Sequence, residues 1–273
     1  MKIPEDKIEE VTETIRKAGG VEEKPPPYAK YRFRLGKAIV TIYNSGSVTV
    51  GGKEIKRVKE LITETALKGN EGIIVGCDEA GKGEVFGPLV IACIYGNDKC
   101  LKKLLEIGVK DSKKLKKEKI KKLSEEIKKS CNGVVRMLPP SEYNKLYKKF
   151  RNLNKLMEEM YLEILKKILK KIKPQKVIVD KFSREIEEKL KKAFPDVHFE
   201  VVTKGEENPF VAAAAIVAKG ERLKWMEKAS GFLGAEIPEG NARDKYKKIL
   251  TLIPEGERFK FIKEHFNISG EEE

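Results

Sequence analysis

Ile73-Ile-Val-Gly-Cys-Asp-Glu-Ala-Gly-Lys-Gly-Glu-Val-Phe-Gly-Pro-Leu-Val-Ile-Ala-Cys-Ile-Tyr95 is the stretch from which the rest of the chain can be read. An apolar, β-branched run at 73–75 leads into two adjacent carboxylates, Asp78 and Glu79. Glycines at 81, 83 and 87 follow, then a second apolar run from Leu89 to Ile94, which spells strand, acidic turn, strand. Like charges this close raise each other's pKa and cost desolvation unless a cation joins them. Oxygen-only donors favour a hard divalent ion, Mg²⁺ or Mn²⁺. In an extended strand Asp78 and Glu79 face opposite sides, so both reach one site only where the strand bends or stops, which Gly81 and Gly83 allow.

The segment Gly76 to Lys82 matches the first seven positions of a P-loop, but Gly83 stands where the magnesium-binding Ser or Thr belongs, and Pro88 with an apolar run follows where a helix is needed. Two carboxylates would also repel the phosphates of a nucleotide, which excludes a dinucleotide fingerprint too. The remaining alternative is an acidic hairpin turn without chemistry, and the rest of the chain has to decide against it.

The 273 residues carry a formal charge of +14 with 37% charged side chains. This length allows one good core and two domains. No apolar run is long enough to span a membrane, and the start Met1-Lys-Ile-Pro-Glu-Asp6 lacks the apolar core of a signal peptide. Cys77, Cys93, Cys100 and Cys131 show no Cys-x-x-Cys spacing, so neither zinc nor a disulfide framework is expected. Cys77 and Cys93, in apolar strands, read as buried reduced thiols, and a cytoplasmic location follows from that. Abundant Lys, Glu and Ile with a single Gln, Gln175, lean toward a thermophilic source.

Residues 1–70 read as a small α+β unit. Ile8, Val11 and Ile15 have helical spacing, ended by Gly19-Gly20, and a second helix runs from Lys53 to Leu67 with Ile55, Val58, Leu61 and Ile62 inward. Between them Tyr28–Leu35 alternates, with Lys30, Arg32 and Arg34 on one face and Tyr31, Phe33 and Leu35 on the other; further strands are expected at Lys37–Tyr43 and Ser47–Val50. Positions 25–59 hold eight basic side chains against one acid, Glu54. A basic strand with interleaved aromatics suits a phosphate backbone, and it equally describes a solvated sheet face.

Gly69-Asn-Glu-Gly72 marks a hinge, and residues 71–273 form the second domain. There Asp111 or Ser112 is placed to cap a Lys/Glu-rich helix, whose first turn is a phosphate seat. A strand at Val134–Leu138 precedes a helix from Ser141 to Ile172 with a core stripe from Leu153 to Ile172, and Asn152 near its start either touches nucleic acid or is plain surface. Lys176-Val-Ile-Val-Asp180 is a second apolar strand ending in a carboxylate, and Val197–Val202 leads to Glu206 and Glu207. Phe210–Lys219 reads as a buried, small-residue helix and the tail as amphipathic helix. His198 in a strand and His265 in the terminal helix read as packing residues.

Three strand ends thus deliver Asp78 with Glu79, Asp180, and Glu206 or Glu207. Four carboxylates without histidine, in a strongly basic protein, fit a two-metal phosphodiester site, with ions about 4 Å apart, better than the two-acid site of a glycosidase. Hybrid binding without catalysis fits less well, because phosphate binding alone selects against anions at the contact.

In order as well as content, Asp78-Glu-Ala-Gly-Lys-Gly83 with Phe86-Gly-Pro88, Val109-Lys-Asp-Ser-Lys-Lys-Leu115, Ile178-Val-Asp180 and Lys204-Gly-Glu206 before Ala213-Ala-Ala-Ile-Val-Ala-Lys219 resemble the type 2 ribonucleases H. Asn152-Leu-Asn-Lys-Leu156, Ile237-Pro-Glu-Gly240 and Lys263-Glu-His-Phe266 resemble ribonuclease HIII within them, and Val40-Thr-Ile-Tyr-Asn-Ser-Gly46 is similar to that family's TATA-box-binding-protein-like N-terminal domain. The resemblance implies an α/β ribonuclease H fold, a mixed sheet flanked by helices, at 71–273, with the smaller α+β substrate-binding domain at 1–70. It also implies endonucleolytic cleavage of the RNA strand of RNA–DNA hybrids, with Mg²⁺ or Mn²⁺, leaving 5′-phosphate and 3′-hydroxyl ends. Nothing in the sequence calls for an obligate oligomer or a membrane, so a monomer is expected. Carried over by residue, Asp78, Glu79, Asp180 and Glu206 are the catalytic metal-binding carboxylates. Gly81, Lys82 and Gly83 read ribose 2′-hydroxyls. Beside the resemblance, the reading of charge and caps given above makes Ser112, Lys113, Asn152, Lys30, Arg32 and Arg34 the expected substrate contacts. Lys82 is closer to the Arg of ribonuclease HII than to the Thr or Ser of HIII, which keeps cleavage at single ribonucleotides in DNA as the alternative. The fourth carboxylate is Glu, with Glu207 adjoining it.

Overall fold

A computed structural model of the chain describes residues 1, 3–67, 72–109, 115–240 and 243–266; the side chains of Leu67, Glu206, Arg243, Asp244 and Lys245 lie outside the description. The hinge at 69–72 falls largely outside it.

Two sheets form. The first is an antiparallel meander of β1 (Val21–Glu23), β2 (Ala29–Leu35), β3 (Ala38–Tyr43) and β4 (Val48–Gly52), in that order. Helices α1 (Ile8–Lys17) and α2 (Ile55–Leu67) bury Ile8, Val11, Ile15, Val58, Ile62 and Ala66 against Phe33, Val40, Ile42 and Val48. The alternation of β2 is as expected, with Phe33 fully buried, whereas Ile55 is exposed at the first turn of α2. Strand β1 was not expected. Its three residues have little apolar pattern of their own and are recruited by pairing with β2 through Glu22 opposite Phe33 and Glu23 opposite Arg32.

The second sheet has the order β7-β6-β5-β8-β9, formed by β5 (Ile74–Ala80), β6 (Leu89–Gly96), β7 (Asn132–Leu138), β8 (Lys176–Asp180) and β9 (Phe199–Val202). Strands β7, β6 and β5 are antiparallel, while β5, β8 and β9 run parallel, so β5 is central and changes partner sense across its two edges. Helices α3 (Asp98–Ile107), α4 (Lys117–Ser130) and α8 (Pro209–Leu233) cover one face, and α5 (Pro140–Phe150), α6 (Leu153–Leu169) and α7 (Ile186–Ala193) the other. Alternate residues of each inner strand therefore enter different cores: Ile74 and Ile178 meet α8, and Val75, Cys77, Val177 and Val179 meet α6. Burial on both sides is why these strands read as continuous apolar runs.

Helix α8 starts where Asn208 accepts from the Phe210 amide at 2.9 Å and Pro209 fills the first helical position. It continues well beyond the expected Lys219 to a left-handed Gly234. Its backbone lies so close to β5 that a Cβ on Gly76 would stand 2.4 Å from Val211 N. Small residues permit that approach.

Four expectations are corrected. The helix from Ser141 to Ile172 is two helices, because Arg151 adopts a left-handed φ of 49° and Asn152 caps α6. The tail is one short helix, α9 (Arg243–Leu250), then a 3₁₀ turn, Glu255–Lys260, and His265 lies in a non-helical segment stacked on Tyr147. Helix α4 begins after Lys116, with no side-chain cap, and Asp111 and Ser112 are outside the described residues.

The cysteines are disulfide-bonded, not reduced: Cys77–Cys93 and Cys100–Cys131. Spacing along the chain could not reveal this, since Cys77 and Cys93 are directly opposed in the β5/β6 register with Cα atoms 4.1 Å apart. Cys100 on α3 meets Cys131 at the end of α4. The inference of location from reduced thiols falls with them. Among the described residues no helix is long and apolar enough to cross a membrane.

Candidate active site

The site is assembled by strand register. Cys77 pairs with Val179 in the parallel β5–β8 ladder, so the next residues, Asp78 and Asp180, stand side by side at the carboxyl ends of neighbouring strands. Both share the parity of Gly76 and Ile178, the α8 face, while Glu79 shares that of Cys77, the α6 face. Strand β5 stays paired with β6 through Ala80, so the acids lie within the strand rather than after it.

Beyond β9, Lys204 at φ 62° turns the chain into a 3₁₀ turn, Gly205–Glu207, and the Gly205 amide donates to Asp180 Oδ1 at 2.7 Å. A Cβ at position 205 would be 3.0 Å from the same oxygen. The backbone of Glu206 is thereby joined to the Asp180 corner. Glu207 lines a cleft of about 350 Å³ between the N-terminal Ile3–Asp6 segment and the β8–β9 edge.

Asp78 Oδ1 accepts from the Glu79 amide at 2.7 Å, and Glu79 Oε2 accepts from the Tyr161 hydroxyl of α6 at 2.7 Å. Burial pushes the Glu79 carboxyl up to about 7. The Asp180 charge adds to the rise, and the Tyr161 hydroxyl and Lys82 ammonium oppose it. The Tyr161 hydroxyl is held protonated by burial and by the charges of Glu79, Asp78 and Asp180, so it feels all three carboxylates. Three carboxylates are thereby gathered at one end of the sheet. An oxygen-only set in that state suits a hard divalent cation. Among the described residues no three His, Cys, Asp or Glu side chains are grouped tightly enough to hold one as they stand.

Gly81 has φ +87°, and a Cβ there would meet Pro88 O at 2.3 Å, so the turn needs glycine at this position. Gly83 has open space around it. Lys82 donates to the Phe182 carbonyl at 3.0 Å, spanning from the turn to the segment after Asp180. Asn152 is occupied as a helix cap, accepting from the Lys155 amide at 3.1 Å. In the first sheet Lys30 pairs with Glu9 at 2.7 Å, and Arg32 and Arg34 pair with Glu23 at 3.1 and 2.7 Å. Both acids precede positions 25–59, where Glu54 is the one acid. Ser112 and Lys113 lie outside the described residues.

Tyr161, Glu84 and Arg222 escaped sequence reasoning, and Lys263 entered it only as the first residue of a family motif, without a role. Tyr161 hides in the apolar stripe of α6, where a tyrosine is the one member that needs a polar partner. The other three are indistinguishable, in so charged a chain, from surface residues.

The ribonuclease HII family model matches residues 75–268. Ribonuclease HIII of Aquifex aeolicus is 30% identical over 253 residues, covering 92% of this chain and 93% of that protein. Among solved structures, that of Aquifex aeolicus RNase H3 superposes with a TM-score of 0.61 at 29% identity, covering 98% of this chain and 99% of that one. Bst-RNase HIII in complex with Mn²⁺ gives 0.68 at 23% identity over 98% and 95%. The mixed sheet flanked by helices is the architecture these structures share.

Proposed function

The chain belongs to the ribonuclease HII family, and to the ribonucleases HIII within it, and on that footing we propose that it hydrolyses the RNA strand of RNA–DNA hybrids by a two-metal-ion reaction leaving 5′-phosphate and 3′-hydroxyl ends. The observation that carries the reading is the β5–β8 register, which sets Asp78 beside Asp180 with Glu79 and the Glu206 backbone adjacent. Asp78, Glu79, Asp180 and Glu206 would hold Mg²⁺ or Mn²⁺, the ion bound by the Bst relative being Mn²⁺. Bound there, the ions would lower the pKa of a water and steady the leaving oxygen. The chain's own part is positional. The Gly205 amide fixes the Asp180 carboxylate, the Tyr161 hydroxyl orients Glu79, and the Gly81–Gly83 turn offers backbone groups to ribose 2′-hydroxyls.

We take residues 1–70 as the TATA-box-binding-protein-like domain that grips the duplex, with Lys30, Arg32 and Arg34 exchanging Glu9 and Glu23 for phosphates, and residues 71–273 as the catalytic domain. Ser112, Lys113 and Asn152 complete the substrate contacts. The working form is a monomer in the cytoplasm, where hybrids arise. The test is cleavage of a uniformly labelled hybrid with Mg²⁺ or Mn²⁺ by the parent, Asp78→Asn and Asp180→Asn. Loss of cutting in both variants, with hybrid binding kept, supports the site; parent-like cutting by both removes it.

Lys82 favours a second reading, cleavage at single ribonucleotides embedded in DNA, because its ammonium reaches across the site where a Thr or Ser could not. Rates on a hybrid and on a duplex with one ribonucleotide separate the two.

A further inference from the structure

We propose that Lys263 is a positioning residue that sets the Gly81–Gly83 turn, and through it the discrimination between ribose and deoxyribose. The inference rests on the reading of that turn given above.

The Lys263 side chain is wholly buried, and its ammonium donates to Gly81 O at 3.0 Å and Glu84 O at 2.6 Å, the carbonyls at the two ends of the turn. It also lies 5.5 Å from the Tyr143 ring centre. Next to it is a second buried cation, Arg222, which donates to Phe86 O at 3.1 Å and pairs with Glu84 at 2.8 Å, while Glu84 accepts from the Gly240 amide at 2.9 Å. Two cations in one interior are expensive, because each gives up its hydration. Val85, Phe86 and Ile262, neighbours of Lys263 in the chain or across the backbone pairing, belong to an apolar cluster that has no need of a charge.

What the lysine adds is direction. The turn closes on itself only through a long Glu84 amide contact to Gly81 O, 3.4 Å. In a trans peptide the C=O and the following N–H point opposite ways, so drawing the Gly81 carbonyl inward drives the Lys82 amide outward, away from the core. The backbone of the same segment is clamped to the turn's exit, with Lys263 N donating to Val85 O and Gly87 N to Phe261 O, both at 2.9 Å. The ammonium is therefore held at a fixed point relative to the carbonyls it binds.

The experiment compares the parent with Lys263→Met and Lys263→Arg. Steady-state cleavage of a hybrid gives kcat and KM, and equilibrium binding to the hybrid and to an all-DNA duplex of the same sequence gives the preference. Losing two charge-assisted hydrogen bonds on the turn should raise KM about tenfold or more and lower the hybrid preference by a similar factor in Lys263→Met, with little change in kcat. Its melting temperature should fall by no more than a few degrees, because relief of a buried charge partly offsets the two carbonyls left without their donor. Lys263→Arg, which keeps the donors, should recover part of both. Parent-like KM and preference in Lys263→Met overturn the proposal, as does a loss of activity that only tracks a loss of stability. If Lys263→Met does not fold, Lys263→Gln, whose shorter amide cannot span both carbonyls, decides when assayed below its melting temperature: a raised KM at unchanged kcat supports the role and a parent-like KM refutes it. A parent that does not cut the hybrid defeats the reading of the site, while the binding preference still tests Lys263.

Discussion

Tyr161 on α6 donates its hydroxyl hydrogen to Glu79 on β5 at 2.7 Å, joining the helix core to a carboxylate that burial has pushed up to about 7. Tyr161→Phe keeps the ring and deletes the donor, leaving a buried carboxyl oxygen without it. Stability should fall by about 1–3 kcal/mol, measured by urea unfolding. Hybrid cleavage should fall as well, since Glu79 loses the group that orients it. An unchanged unfolding midpoint would mean that the bond contributes nothing.

Gly81 and Gly83 should separate sharply. Gly81→Ala forces a left-handed residue against the Pro88 carbonyl and should cost more than about 1–2 kcal/mol, while Gly83→Ala enters open space and should cost under about 0.5 kcal/mol. Equal losses in denaturant titrations would contradict the geometry.

Burial and the Arg222 charge push Lys263 down to about 7, against the opposing charge of Glu84, with Tyr143 and His265 the other titratable groups beside it. An unfolded lysine titrates near ~10.4. Between those values the unfolded chain binds more protons than the folded one, so this group makes stability rise with pH from about 7 to about 10.4; below about 7 its full penalty is present. Unfolding curves at pH 7 and 9 should show a rise in the parent that is smaller in Lys263→Met. Identical slopes would place the titration elsewhere.

The two disulfides close sequence separations of 16 and 31 residues. On chain-entropy grounds each should stabilise by about 3 kcal/mol, and a reductant present during unfolding and refolding should remove most of that. An unmoved midpoint would indicate that the bonds do not form in solution.

What the sequence disclosed and what it hid divide along a physical line. Asp78 and Asp180 were legible because an apolar run ending in an acid is rare unless something binds there. The pairing of Cys77 with Cys93 was not, since it depends on cross-strand register, which only the folded hairpin fixes. The break between α5 and α6 was equally hidden, because Arg151 takes a left-handed conformation without Gly or Pro to announce it, although Asn152 is a good cap. Arg222 and Lys263 could not be told from the lysines and arginines that cover the surface; only burial distinguishes them.

Lys263 follows Gly81 by 182 residues, yet it grips that glycine's carbonyl. During synthesis the carboxylate strands emerge long before the residue that fastens the turn beside them. A nascent chain, or a product of a message interrupted upstream of codon 263, would carry all four acids and still lack the final fastening. Until residue 263 has emerged, the turn would lack the ammonium that draws the Gly81 carbonyl inward, so preference for ribose would be acquired after the carboxylates are already in place.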